Sequence, residues 1–97
     1  RNTVAESLPM RAPMDRIAGM EAFVAVVEAG GFQAAARQLG ISRALVSKRL
    51  SALERTLGVQ LPHRTTRRLS VTGPGSAFYE SCQRILGGLN EAAAAAR

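Results

Sequence analysis

A single cysteine, Cys82, in 97 residues excludes an internal disulfide and any cage of cysteines around a metal. Tryptophan is absent, and one tyrosine with three phenylalanines offers little on which unpaired bases could stack. That scarcity argues against a reader of RNA or single strands. No apolar run approaches the roughly 18 to 20 residues of a membrane span, and no signal-peptide order of basic, apolar and small-residue segments is present. A cytoplasmic chain with no membrane partner is therefore expected. His63, the one histidine, has no second ligand or nucleophile beside it in sequence. Ser47 and Lys48 are adjacent, and neighbours on a helix point about 100° apart, so they form no nucleophile and base pair. The chain is expected to be no enzyme and to carry neither metal nor cofactor.

Positive charge, by contrast, is abundant and concentrated. Eight cations (Arg37, Arg43, Lys48, Arg49, Arg55, Arg64, Arg67 and Arg68) stand against the single acid Glu54 between positions 37 and 68. That segment carries +7 where the whole chain carries +6, so the remainder is slightly acidic. A positive field confined to one region is the footprint expected for a polyanion.

The same region reads as two short helices joined by a tight turn. Ala34, Ala35 and Ala36 leave room for a crossing helix, Leu39 closes an apolar face, and Gly40 supplies the turn. Ile41 is an apolar plug, and Ser42 is a good N-cap. Val46, Leu50, Leu53 and Leu57 recur at spacings of four, three and four, forming a core-facing stripe. Arg43, Ser47, Lys48, Arg49 and Arg55 occupy the rest of that helix, where cations suit phosphates and donors suit base edges in a major groove.

With 46% apolar residues, the chain suffices for one small core, marginal alone and helped by a partner chain. Residues 1–13 hold Pro9 and Pro13 without a sustained period and are expected to form a flexible arm. Asp15 caps a first helix whose Met20, Phe23, Val24 and Val27 form a stripe, and Gly30-Gly31 ends it. Past a C-cap at Gly58, Val59-Gln60-Leu61 and Leu69-Ser70-Val71 alternate as short strands around the polar segment 62–68, predicting a β-hairpin wing. Thr72 then caps a long helix with Pro74 in its first turn. Along it Phe78, Cys82, Ile85, Leu89, Ala92 and Ala96 step by four, three, four, three and four, a heptad seam. Another copy of this helix is one partner for that seam. A fold back onto its own domain is the other, and Gly87 and Gly88 each cost about 1 kcal/mol of helix propensity.

The run MDRIAGMEAFVAVVEAGGFQAAARQLGISRALVSKRLSALERTLGVQL followed by RTTRRLSVTGPG resembles the N-terminal DNA-binding domain of LysR-type bacterial transcriptional regulators. The likeness spans Met14 to about Ala96. It joins the Ala-rich helix, the S-x-x-x-V-S opening of a recognition helix, L-E-x-x-L-G-V-x-L and R-x-x-R-x-x-x-x-T in one order. The resemblance implies a mainly α fold with a small β-hairpin: a winged helix-turn-helix over 14–72, then a linker or dimerisation helix over 73–97. It also implies an effector-binding domain, absent from this chain, as the route by which a small-molecule effector would act. DNA contacts would come from Ser42, Arg43, Ala44, Ser47, Lys48 and Arg49, and from wing residues Arg64, Thr65, Thr66, Arg67 and Arg68. A homodimer, with higher oligomers in a full-length protein, would pair its linker helices antiparallel through Phe78, Cys82, Ile85, Leu89, Ala92 and Ala96. Two such domains would read double-stranded DNA as an interrupted inverted repeat, with half-sites about one helical turn apart or multiples of it.

Three departures from the family pattern carry expectations of their own. Arg43 stands where glutamine is usual, replacing an adenine-type partner by a donor suited to guanine O6 and N7. Gln33 stands where a Ser or Thr cap is usual, which should weaken the start of the second helix. Pro62 and His63 precede Arg64, and the proline should end the wing's first strand at Leu61. Two rivals share the winged-helix reading. A related regulator, such as a molybdate-responsive type, differs in its C-terminal domain, and a protein-binding winged helix would take acidic partners in place of DNA.

Overall fold

The computed structural model describes residues 13–63 and 70–97, in four helices. Of the expected arm 1–13, residues 1–12 lie outside the described residues, as does the wing segment 64–69, and Pro13 opens the first helix instead of ending an arm. Helix α1, Pro13–Ala29, is the centre of the domain, and each of the other three helices packs on it. Met20, Ala22, Phe23, Ala25 and Val26 are all buried, with Val24 and Val27 packed beside them. A helix apolar on nearly every side has to be covered on every side. The expected stripe is thus only part of its buried surface. Asp15 lies inside the first turn of α1, not at its cap.

Gly30, at φ 88°, turns the chain into α2, Phe32–Leu39, which begins two residues earlier than expected. Its N-cap is Gly31, with no side-chain bond, so Gln33 falls in the first turn and the missing cap is a property of position 31. Buried Ala35 and Ala36 let α2 lie close to α1 and α3. Gly40, at φ 71°, closes the helix, and the Ile41 N–H returns to the Ala36 carbonyl at 3.1 Å. Ser42 then caps α3, Arg43–Leu57. Val46, Leu50 and Leu53 are buried as expected, but Leu57 is 40% exposed. The reason is that α3 ends there and Gly58, at φ 75°, turns the chain past the edge of the core.

The wing differs from expectation at its base. No strand pair longer than one bridge occurs among the described residues, and the bridge joins Pro62 to Val71 in antiparallel sense. The His63 N–H donates to the Ser70 carbonyl and the Thr72 N–H to the Leu61 carbonyl, both at 2.9 Å. Pro62 therefore occupies the slot of an antiparallel pair in which the facing residues exchange no hydrogen bonds. Its missing N–H is not needed, and pairing continues one residue beyond Leu61.

Helix α4, Gly73–Ala95, starts at a Thr72 cap whose hydroxyl accepts from the Gly75 N–H at 2.9 Å. That hydroxyl also points its proton at the Gln60 and Leu61 carbonyls, 2.7 and 3.0 Å away. Phe78 and Tyr79 set their rings 6.0 and 6.4 Å from Phe23, the second edge-on. The Tyr79 hydroxyl donates to the Glu28 carboxylate at 3.0 Å, and this bond raises its pKa. From position 88 onward every residue of the chain is exposed.

Cys82 belongs to the core under α1. Burial lifts its thiol from 9.0 to about 11. A raised pKa favours the folded state fully below the unfolded thiol's value. That contribution fades as pH climbs from about 9 through about 11. At about pH 8 the thiolate fraction is some 100-fold lower than in the unfolded chain, so alkylation in buffer should be at least that much slower than in denaturant. Equal rates, measured by mass spectrometry, would show Cys82 to be accessible.

Candidate nucleic-acid interface

Three local devices set the start of α3. Gly40 reverses the chain, Ile41 packs against the core, and the Ser42 hydroxyl accepts the Leu45 N–H at 3.0 Å. The helix then presents a graded face. Arg43, Ala44 and Lys48 are exposed and Ser47 is half-buried between them. At 100° per residue these four fall on one side, with Ser51 and Arg55 continuing it toward the C-terminus. Arg49 is half-buried and starts from the other flank of the Val46, Leu50 and Leu53 stripe. The fold thus gathers Ser42, Arg43, Ala44, Ser47 and Lys48, and leaves Arg49 to one side.

Arg43 does not stand alone. Its guanidinium carbon lies over the Phe32 ring, 5.6 Å from the centroid. Nothing in the helical period predicts this contact, because the two residues open different helices and meet only through the Gly40 turn. The one acid of the basic segment is also tied down. The Glu54 carboxylate accepts the Leu61 N–H at 2.8 Å, joining the far end of α3 to the base of the wing. Its isolation among eight cations was a visible signal of a structural task.

Wing residues Arg64, Thr65, Thr66, Arg67 and Arg68 lie outside the described residues, but both ends of their segment are held by the bridge between Pro62 and Val71. Among the seam residues, Phe78 and Cys82 pack onto their own domain. Ile85 and Leu89 are 53% and 44% exposed, and Ala92 and Ala96 are exposed as well. The two partners open to the seam at the sequence level therefore divide it: its first half is covered within the chain and its second half is bare. No single helix among the described residues is long and apolar enough to cross a membrane.

A family model described as bacterial regulatory helix-turn-helix protein, lysR family, matches residues 17–76. An HTH-type transcriptional repressor of Pseudomonas aeruginosa (strain UCBPP-PA14) is 49% identical over 84 residues, 87% of this chain and 26% of that protein. The HTH-type transcriptional regulator DmlR of Escherichia coli (strain K12) is 51% identical over 67 residues, 69% of this chain and 22% of its own length. The chain thus spans about a quarter of the curated relatives it matches. Among solved structures, the BenM DBD in complex with benA site 1 DNA is similar at a TM-score of 0.79 and 31% identity, over 82% of this chain and 90% of that one. CbnR, a LysR family transcriptional regulator, is similar at a TM-score of 0.77 and 36% identity, over 84% of this chain and 28% of its own.

Proposed function

Because the chain belongs to the lysR family of bacterial regulatory helix-turn-helix proteins, a family of DNA-binding transcriptional regulators and not of enzymes, we propose how it engages its operator. The observation that carries the reading is the exposed N-terminal face of α3, which offers two cations and two small residues at the end of a helix that a major groove accepts. Arg43, Ala44, Ser47 and Lys48 approach base edges, and Ser42 orients them as the cap. Arg49 from its flank, and Arg64, Thr65, Thr66, Arg67 and Arg68 from the wing, contact the sugar-phosphate backbone. Residues 14–72 form the DNA-binding unit, and 73–97 extend it as the helix that joins two protomers. An effector-binding domain of the longer protein would carry the response to a small molecule, in the bacterial cytoplasm.

The bare stripe of Ile85, Leu89, Ala92 and Ala96 supports a dimer, since water against two large aliphatic side chains is relieved when a second copy covers them. Phe78 and Cys82 would then steady the helix from within their own protomer, and Cys82 would not form an intersubunit disulfide. The test is retention of fragmented genomic duplex DNA by the chain, followed by sequencing and by sedimentation of the protein alone. Inverted repeats in the retained DNA and a dimer at micromolar concentration are expected. Ile85→Asp and Leu89→Asp should yield a monomer that retains single half-sites with at least about tenfold lower affinity. Duplex retention unchanged by either charge would remove the stripe from dimerisation, and no retention at all would overturn the operator reading.

A further inference from the structure

We propose that Phe32 is a positioning residue for Arg43, and that the pair sets a guanine in each half-site. This rests on the operator reading above, in which the start of α3 faces the bases. An arginine at the first position of a helix ordinarily swings through many rotamers and loses that side-chain entropy when it docks. Here the guanidinium is held over the Phe32 ring while the residue itself stays exposed. A phenyl ring has no acceptor lone pair, so the contact leaves the five N–H donors of Arg43 available for a guanine edge. Phe32 is itself fixed. It is the first residue of α2, is half-buried, and packs against the core, while Gly30 and Gly40 set the two turns that bring the helix starts together. A carboxylate in the same place would hold the guanidinium by consuming its donors, whereas an aliphatic side chain would leave it free to swing. The aromatic face does neither.

The experiment is selection of the 97-residue chain on a random duplex pool, with four variants run beside it. The wild-type chain is expected to prefer guanine roughly tenfold or more at one symmetric position of each half-site, and Arg43→Gln to move that preference to adenine. Phe32→Tyr keeps the ring and should keep the guanine. Phe32→Leu should weaken the preference about two- to fivefold at that position alone, leaving affinity for unrelated duplex within about twofold. Combined with Arg43→Gln, it should change nothing further there. Graded fluorination of the phenylalanine at position 32 drains the ring face without altering the packing, and so keeps the test open if the leucine variant melts; guanine preference should step down with each fluorine. A preference lost through Arg43→Gln but indifferent to fluorination overturns the positioning role. Duplex retained by the wild-type chain without guanine at any symmetric position overturns the assignment while sparing DNA binding, and retention of no duplex overturns both.

Discussion

Replacing Gly75 by alanine is expected to lower the melting temperature by on the order of 15 °C, a loss of about 3 kcal/mol. A Cβ at this position would run into the Leu61 carbonyl oxygen and stand 2.6 Å from the Val71 Cγ1. The valine can rotate, but the carbonyl cannot give way cheaply, because it accepts both the Thr72 N–H and the Thr72 hydroxyl. Relief therefore means parting the first turn of α4 from the bridge beneath it, with loss of the Gly75 N–H bond to Thr72. Gly73→Ala is the control, since a Cβ there meets nothing within 4 Å and should cost less than about 0.5 kcal/mol. Circular dichroism melts decide the matter. A fall of under about 3 °C for Gly75→Ala, or equal falls for both variants, would show that the junction yields.

Duplex affinity should drop by about 3.5 orders of magnitude between roughly 50 and 200 mM salt, a logarithmic slope near −6. In the proposed dimer each protomer would bring the net +7 between positions 37 and 68, and three or four phosphate contacts apiece would suffice for that slope. If Arg67 makes the proposed phosphate contact, Arg67→Ala removes one contact per protomer, so it should flatten the slope by about two units in a dimer and weaken all duplexes alike. Fluorescence anisotropy across a salt series measures both. A slope shallower than about −2 would remove the electrostatic account, and a change of base preference on Arg67→Ala would make this wing residue a reader of sequence.

Signals carried by single residues at chain reversals were legible from the sequence. Gly40, Ser42, Gly58, Thr72 and Pro74 each have a local backbone task, and each performs it where expected. Apolar spacing was legible only as to which face is buried, since periodicity says nothing about what covers a face. Cys82 and Ile85 are neighbours in one seam, yet the first lies in the core and the second is bare, because the covered side of α4 runs through Tyr79, Cys82 and Leu86 and leaves Ile85 to one flank. Leu57 left its stripe for a different reason, the helix outrunning the core. The bridge at Pro62 was missed because its cost depends on which of two alternating slots the proline enters, and register is set by the partner strand. The contact of Arg43 with Phe32 and the crowding at Gly75 are meetings between segments, and no one-dimensional pattern carries them.

The bond from Glu54 to Leu61 makes rotational phase a fixed property of the domain. In the operator reading one end of α3 meets the duplex, while its other end holds the strand that leads into the wing, and the Thr72 hydroxyl ties that same strand to the start of α4. Groove helix and wing root thus form a caliper of constant opening. One base pair inserted into a half-site, between the steps touched by the helix and those touched by the wing, rotates one set past the other by about 35° and shifts it about 3.4 Å. A caliper cannot follow such a turn. On the operator reading, natural operators of this protein would therefore be free to vary in the letters between those steps, and bound to keep their number.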